Sequence, residues 1–406
     1  MKKQILASLF ITVTFGVSAQ VEDSITMQAG RTHESYYNLE TGEVLNVDNT
    51  DWDIAFDLSG FGSSIRSNGH IGTKVWVYPN GINWPTVDTT GTVWDDPMYN
   101  SETTWRTGAF DQDADPQNQL DLGWGEYNFV THVITGDRIF IVELSTGDFK
   151  KVIIESLASG VYSFRYADLN GANEVIETVT KSDYSGKNFV YYSIANQQIV
   201  DREPANDSWD IVFTKYMGYL NPPGTFYGVT GVLSNNGVHV RQADGVDPSM
   251  ADYNNFQVDS VIDVIGHDWK SFSMGTYTIP ADLSYFIEDL DGALWQIIFT
   301  RFDLSSSGKV VFSKEKIASA NVSEIEDMNA FGLYPNPATG VATVVFDTDS
   351  DAQLTITDMN GGVVYQESLS SGFATHNLTL TNFQSGVYFV NLSTELGSTS
   401  QKLIVQ

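Results

Sequence analysis

Asp51-Trp52-Asp53-Ile54-Ala55-Phe56 returns later in the chain as Ser208-Trp209-Asp210-Ile211-Val212-Phe213. The residues ahead of each copy also match: Glu34-Ser35-Tyr36-Tyr37-Asn38-Leu39 is answered by Asn188-Phe189-Val190-Tyr191-Tyr192-Ser193-Ile194. Within each block Trp, Ile and Phe fall on alternate positions, the period of a strand with one buried face. That places Trp52 and Trp209 in a core as anchors. Asp53 and Asp210 are expected on the opposite, exposed face.

Working outward, the repeat continues. Trp124 and Gly147 are spaced like Trp269 and Gly292. Phe149-Lys150-Lys151-Val152-Ile153-Ile154 answers Leu294-Trp295-Gln296-Ile297-Ile298-Phe299, and Gly160-Val161-Tyr162-Ser163-Phe164 answers Gly308-Lys309-Val310-Val311-Phe312. Thr146-Gly147 and Asp291-Gly292, each between aromatic and β-branched runs, are hairpin signals. No long stretch holds a 3.6-residue apolar period without Gly, Pro or Asn. The expectation is an all-β chain with two tandem antiparallel modules at 21–182 and 183–320, joined near the polar stretch Lys181-Ser182-Asp183-Tyr184-Ser185-Gly186.

Composition agrees with strands and turns. Of 406 residues, 42% are apolar and 13% aromatic, and Gly (34) far outnumbers Pro (11), so the chain can build cores. Its 51 acidic against 21 basic residues give a net charge of −30, a field that repels nucleic-acid phosphates and anionic membrane. Without any Cys it has no disulfide, thiolate catalysis, zinc finger or iron–sulfur cluster.

The two ends read as export signals. Lys2 and Lys3 precede the apolar run Ile5–Val17, and Val17-Ser18-Ala19 offers small residues for cleavage, so residues 1–20 are expected to be a signal peptide. No later segment is a transmembrane candidate. A polar, acidic linker at 321–331 leads to Tyr334-Pro335-Asn336-Pro337, followed by strand-like runs to the end. Tyr334, Pro335, Asn336 and Pro337, the Asp358-Met359-Asn360-Gly361 turn, Gly386-Val387-Tyr388 and the terminal Lys402-Leu403-Ile404-Val405 resemble the C-terminal sorting domain of type IX secretion cargo. That resemblance covers 332–406. It implies an Ig-like β-sandwich, the type IX machinery as partner, and a secreted or outer-surface location reached through the periplasm.

The modules are similar to the HmuY-like family of secreted haem-binding β-proteins, through Trp52–Phe56, Arg66-Ser67-Asn68-Gly69 and Phe164-Arg165-Tyr166, and through Trp209–Phe213 and Asn236-Gly237 in the second copy. The resemblance implies ligand capture, with haem as first candidate. His70 follows Asn68-Gly69 and His239 follows Asn236-Gly237, so both copies place an imidazole past an Asn-Gly turn; iron accepts such ligands. Even spacing sets Arg66 on the face of His70 and Arg241 on that of His239, where guanidinium groups suit haem propionates. Second axial ligands are Met98 in one module and His267 or Met250 in the other. The rival reading is a non-haem adhesin that binds carbohydrate or protein through Trp76, Tyr78, Trp84, Trp94, Tyr219 and Tyr227 in Gly- and Pro-rich loops.

Asp111-Gln112-Asp113-Ala114-Asp115 alternates carboxylates as calcium loops do, but Pro116 and Leu122 stand where Gly and Glu are needed, which favours a solvated acidic loop. No metal site is assigned. The chain carries none of the catalytic signatures of zinc proteases, serine hydrolases, phosphate loops or dinucleotide folds, and the expectation is that it is not an enzyme.

Overall fold

The computed structural model describes residues 20–221, 224–318, 328–358, 362–381, 383–394 and 398–406. The expected signal peptide, except Gln20, and most of the 321–331 linker lie outside these residues. Among the described residues the helical elements are short 3₁₀ turns and the rest of the regular structure is strand, as expected for an all-β chain. No helix among them is long and apolar enough to cross a membrane. The chain forms two compact units, dividing between Ile317 and Ala318.

The first unit contains the duplication. One copy runs β1 (Val21–Thr26), β2 (His33–Asn38), β3 (Gly42–Asp48), β4 (Ile54–Asp57), β5 (Ile65–Ser67), β6 (Lys74–Val77), β7 (Gly125–Asn128), β8 (Val133–Gly136), β9 (Phe140–Glu143), β10 (Phe149–Ala158) and β11 (Val161–Asp168). The other runs β12 (Val175–Thr180), β13 (Phe189–Ser193), β14 (Gln198–Val200), β15 (Ile211–Leu220), β16 (Thr225–Ser234), β17 (His239–Asp244), β18 (Ser271–Ser273), β19 (Thr276–Thr278), β20 (Leu283–Glu288), β21 (Leu294–Phe302) and β22 (Lys309–Ala318).

The sheets match pairwise. A four-stranded sheet ordered β14-β13-β4-β5 has its counterpart in β3-β2-β15-β16. The run β12-β11-β10-β9-β6 has its counterpart in β1-β22-β21-β20-β17. The expected hairpins close at Gly147 and Gly292, both at positive φ (85° and 79°), a backbone that glycine adopts without cost.

This pairing corrects the expected boundary at 182/183. In each copy the first three strands join the sheets of the other. One lobe is therefore β4–β14, a continuous stretch, and the second is β15–β22 closed by β1–β3 from the start of the chain. The polar stretch near 181–186 is not a linker between lobes. It runs inside the first lobe, where Lys181 Nζ donates to the carbonyls of Ser59 (2.9 Å) and Gly62 (2.5 Å). The chain crosses between lobes at 49–53 and again at 201–210. The physical reason is edge satisfaction: β1 pairs with β22, and the free edge of the β2–β3 hairpin pairs with β15, covering backbone groups that would otherwise be left open.

The lobes have matched cores. Phe56 packs on Phe164 at 5.0 Å and Phe213 on Phe312 at 5.5 Å, while Tyr192 meets Phe164 at 5.1 Å and Tyr37 meets Phe312 at 5.2 Å. Trp124 and Trp269 are fully buried in the corresponding places. Asp53 and Asp210 are not exposed as expected; both are buried. Asp53 accepts a hydrogen bond from the Ala195 N–H (3.1 Å) and Asp210 from the Leu39 N–H (2.8 Å). Each carboxylate thus closes the loop of the hairpin arriving from the other copy, and those backbone donors offset its desolvation.

The second unit is a seven-stranded sandwich with path order β26-β25-β28-β29-β23-β24-β27: β23 (Met328–Thr339), β24 (Val341–Thr348), β25 (Ala352–Thr357), β26 (Val363–Leu369), β27 (Gly372–Thr379), β28 (Gly386–Ser393) and β29 (Ser398–Val405). Val344, Phe346, Leu354, Ile356, Val390, Leu392 and Leu403 fill its core. Asn336 acts there as a substitute strand. Its Nδ2 donates to the Lys402 carbonyl (2.6 Å), and its Oδ1 accepts from the Ile404 N–H (2.9 Å). Tyr388 donates to the Gln384 carbonyl (2.9 Å), and Gly386 pairs with Val405. Tyr334 and Lys402 are exposed. Of the Asp358–Gly361 turn, only Asp358 lies among the described residues.

Candidate functional site

The two four-stranded sheets meet through matched aromatic pairs. Trp52 stands edge-on to Tyr191 (4.9 Å, 74°) and Trp209 edge-on to Tyr36 (5.0 Å, 77°), with the two tyrosine hydroxyls 3.4 Å apart. A cleft opens beside this seam. It forms because β15 pairs with β2 only from Ile211 to Phe213 and beyond that keeps β16 alone, leaving one edge open with the 3₁₀ turn Gly69–Ile71 beside it.

The cleft is asymmetric although the scaffold is not. Glu34 on β2 occupies the place that Phe189 takes in the other copy, and Arg202 the place of Val47. They form a buried ion pair (2.5 Å). Glu34 also accepts from the Tyr36 hydroxyl (2.8 Å) and the Thr214 hydroxyl (2.9 Å), and the Arg202 guanidinium lies 5.0 Å from the centre of the Tyr191 ring. Burial pulls the Arg202 pKa down, but the combined attraction of Glu34, Tyr36, Tyr191 and Asp51 outweighs it and holds the group above its ordinary value. The phenols of Tyr36 and Tyr191 are pushed well up, first by burial and then by neighbouring carboxylates.

Glu203, also buried, accepts from the N–H groups of Phe189 (2.8 Å) and Asn188 (3.2 Å). Burial nevertheless pushes its pKa up to about 8 from an ordinary 4.5. An acid raised in this way keeps its proton in the folded chain while the unfolded chain has lost it. Its contribution favours the folded state at low pH and is lost as pH rises from 4.5 through about 8. Denaturant unfolding from pH 5 to 8 is expected to show Glu203→Gln gaining on the native chain by roughly 1 kcal/mol per pH unit. Parallel curves for the two proteins would contradict it.

The expected site residues are divided by the structure. Arg66 and His70 both line the cleft. Met98 is half-buried against the core of the first lobe. His239 is exposed on β17 opposite Glu288, and Arg241 packs over Tyr253 at 5.7 Å. His267 lies behind Tyr216 (ring centres 6.4 Å apart), and Met250 is exposed on a separate turn.

His239 is not the counterpart of His70. Asn68 Nδ2 donates to the carbonyls of Asn49 and Trp52 (both 3.0 Å), and Asn235 Nδ2 to those of Asn206 (2.7 Å) and Trp209 (2.8 Å). That register equates Asn68 with Asn235, not Asn236, and therefore His70 with Gly237. The imidazole belongs to one copy alone.

Haem needs an axial nitrogen, partners for its propionates and a slot for the macrocycle. His70 meets the first need. The residue is half-buried, its Nε2 is buried and unpartnered, and desolvation followed by the charge of Lys215 lowers its pKa to about 3, so the ring is neutral. The other needs are not met. Arg66 donates to the carbonyls of Ser101 (3.3 Å), Thr104 and Trp105 (both 3.2 Å) and stacks on the Trp105 ring, so it pins a loop. The cleft has a volume of about 70 Å³, room for a few waters or a small solute but not a porphyrin.

Other cleft groups went unread in the sequence. Among the described residues, Asn68 Oδ1, Ser67 Oγ and Tyr216 Oη are buried without partners, and Lys215, half-buried, also lines the cleft. A detectable signal was the replacement of apolar by charged residues in one copy of the repeat, as at Glu34 and Arg202.

The acidic 111–115 loop is held by protein groups. Arg138 bridges Asp113 (2.9 Å), Asp121 (2.6 Å) and Asp137 (2.6 Å), while Asp111 caps Gly108. No acidic or histidine cluster among the described residues suits a metal. Of the loop aromatics, Trp76, Tyr78 and Trp84 are buried in a satellite core, whereas Trp94, Tyr219 and Tyr227 are exposed.

No curated protein matches the chain. Among solved structures it is similar to PorZ, an essential bacterial surface component of the type-IX secretion system of Porphyromonas gingivalis. The match has 11% identity and a TM-score of 0.17, and covers 72% of this chain and 41% of that one, too slight to indicate a shared fold. Residues 332–406 match the secretion system C-terminal sorting domain, so the chain ends in a type IX sorting domain and is marked for the cell surface or the medium.

Proposed function

We propose that residues 21–318 are a ligand-binding cargo of type IX secretion, that the cleft beside the Tyr36–Tyr191 seam is the binding site, and that the protein binds without catalysis. The observation carrying this reading is the buried, unpartnered Nε2 of His70, together with Asn68 Oδ1 in the same cleft. Buried polar atoms in folded proteins are usually hydrogen-bonded, so two such atoms facing one cleft call for a partner within it. Capture suits the site better than turnover because Glu34, a charged acid, is already committed to Arg202, Tyr36 and Thr214.

A HmuY-like role with haem as ligand has less support, because the cleft meets only one of its three needs. The test is a thermal-shift screen of small polar solutes, with haemin included, on the native protein and on His70→Leu. Compounds that raise the native Tm by several degrees and leave the variant unmoved support the reading. A screen in which nothing shifts the native protein, or both proteins respond alike, overturns it. A Soret shift with haemin that His70→Leu abolishes would restore the haem reading.

A further inference from the structure

The cleft is richer in positive charge than the chain around it. Three charged side chains line it, Glu34, Arg66 and Lys215, with Arg202 paired to Glu34 behind the wall. Glu34 and Arg202 cancel as an ion pair, and Arg66 is capped by three carbonyls. Glu203, behind the seam, holds its proton near neutrality because burial raises its pKa to about 8. That leaves Lys215, whose ammonium has no hydrogen bond or ion pair among the described residues. It sits on β15 where that strand has parted from β2. Burial lowers its pKa, the effect expected of a cation lacking a counter-charge.

The other unpartnered groups of the cleft are neutral. Ser67 and Tyr216 offer unpartnered hydroxyls, and the imidazole of His70 offers a ring nitrogen. Among them, Asn68 Oδ1 can only accept a hydrogen bond. Its amide nitrogen is used twice, so the oxygen is an acceptor waiting for an O–H or N–H. A chain of net charge −30 holds unscreened anions off by its general field, so an unpaired, half-buried lysine in a cleft is a local exception to its charge.

We propose that the cleft takes a small hydroxylated carboxylate, its anionic end on Lys215 and the neighbouring donors and its hydroxyl on Asn68. Lys215 supplies the charge-assisted contact that decides the class, and Asn68 rejects solutes with no donor. With about 70 Å³ available, the cleft admits the smallest members of this class, two- and three-carbon hydroxy acids. This inference rests on the cleft being the binding site.

The test is a titration of the native full-length chain, read by tryptophan fluorescence, since Trp52 and Trp105 line the site. The probes are glycolate and lactate, each against its uncharged twin, glycolamide and lactamide. At least one acid is expected to saturate, its twin to bind at least tenfold more weakly, and Lys215→Met to weaken the acid at least tenfold with Tm unchanged. Lys309→Met, outside the cleft, serves as the charge control and is expected to match the native chain. Which acid binds more tightly shows whether the cleft admits the additional methyl group.

Equal binding of acid and twin, or loss in Lys309→Met equal to that in Lys215→Met, overturns the anionic class. Silence of both acids while a neutral compound from the screen binds in a His70-dependent way also overturns it, and leaves the cleft as a binding site. Silence of both acids and of the whole screen overturns both readings.

Discussion

Arg202→Met is expected to destabilise the chain by about 3–5 kcal/mol, the usual cost of leaving one charge of a buried pair without its partner. Glu34 would remain enclosed by Tyr36 and Thr214, whose hydroxyls solvate it but cannot neutralise it. The stacking of the guanidinium on Tyr191 and its donation to the Asp48 carbonyl would be lost as well. At roughly 2–4 °C per kcal/mol for a body of this size, the melting temperature should fall by about ten degrees. The double variant Glu34→Met/Arg202→Met should recover most of the loss, because two apolar side chains of similar volume remove both desolvation costs. Counterparts Phe189 and Val47 show that the scaffold accepts apolar residues at both places. A single-variant cost under about 1 kcal/mol, or additive losses in the double variant, would mean that the pair is effectively solvated.

Cutting the chain between the lobes is expected to have a still larger and lopsided effect. A fragment of residues 50–206 contains all eleven strands of the first lobe, β4–β14, and should give a cooperative thermal transition by circular dichroism. A fragment of residues 207–318 lacks β1–β3 and should not fold. It loses the partner of β22 and the partner of β15, and with them Ile25, Met27, Tyr37 and Leu39, all almost fully buried. Adding a peptide of residues 20–49 should restore the transition, since it returns the missing strands and the Leu39 N–H that satisfies Asp210. Cooperative melting of residues 207–318 alone would refute the assignment of β1–β3 to the second lobe.

The duplication was legible because it is written in local patterns: Trp-Asp-Ile followed by alternating apolar residues, hairpin glycines at matched spacing, and paired aromatic strands. The sorting domain was legible for the same reason. Where the reading failed, the missing quantity was burial or pairing. Asp53 and Asp210 looked like the exposed positions of half-buried strands, yet each is covered by a hairpin loop from the other copy. Trp76, Tyr78 and Trp84 looked like loop platforms and pack inside. His239 looked like the partner of His70 through a shared Asn-Gly, but backbone carbonyls select Asn68 and Asn235 as equivalent and move the register by one.

By itself the sequence determined the strand-and-turn class, the two-copy design, the export tail and the nearness of Arg66 to His70, because period, turn chemistry and short-range spacing act within a few residues. Only the tertiary structure decided which copy each hairpin completes, that Glu34 meets Arg202, and that His70 and Lys215 share a cleft. Those outcomes depend on which open strand edge finds which partner and which charge loses its water. Both are settled by contacts between residues that the chain holds far apart.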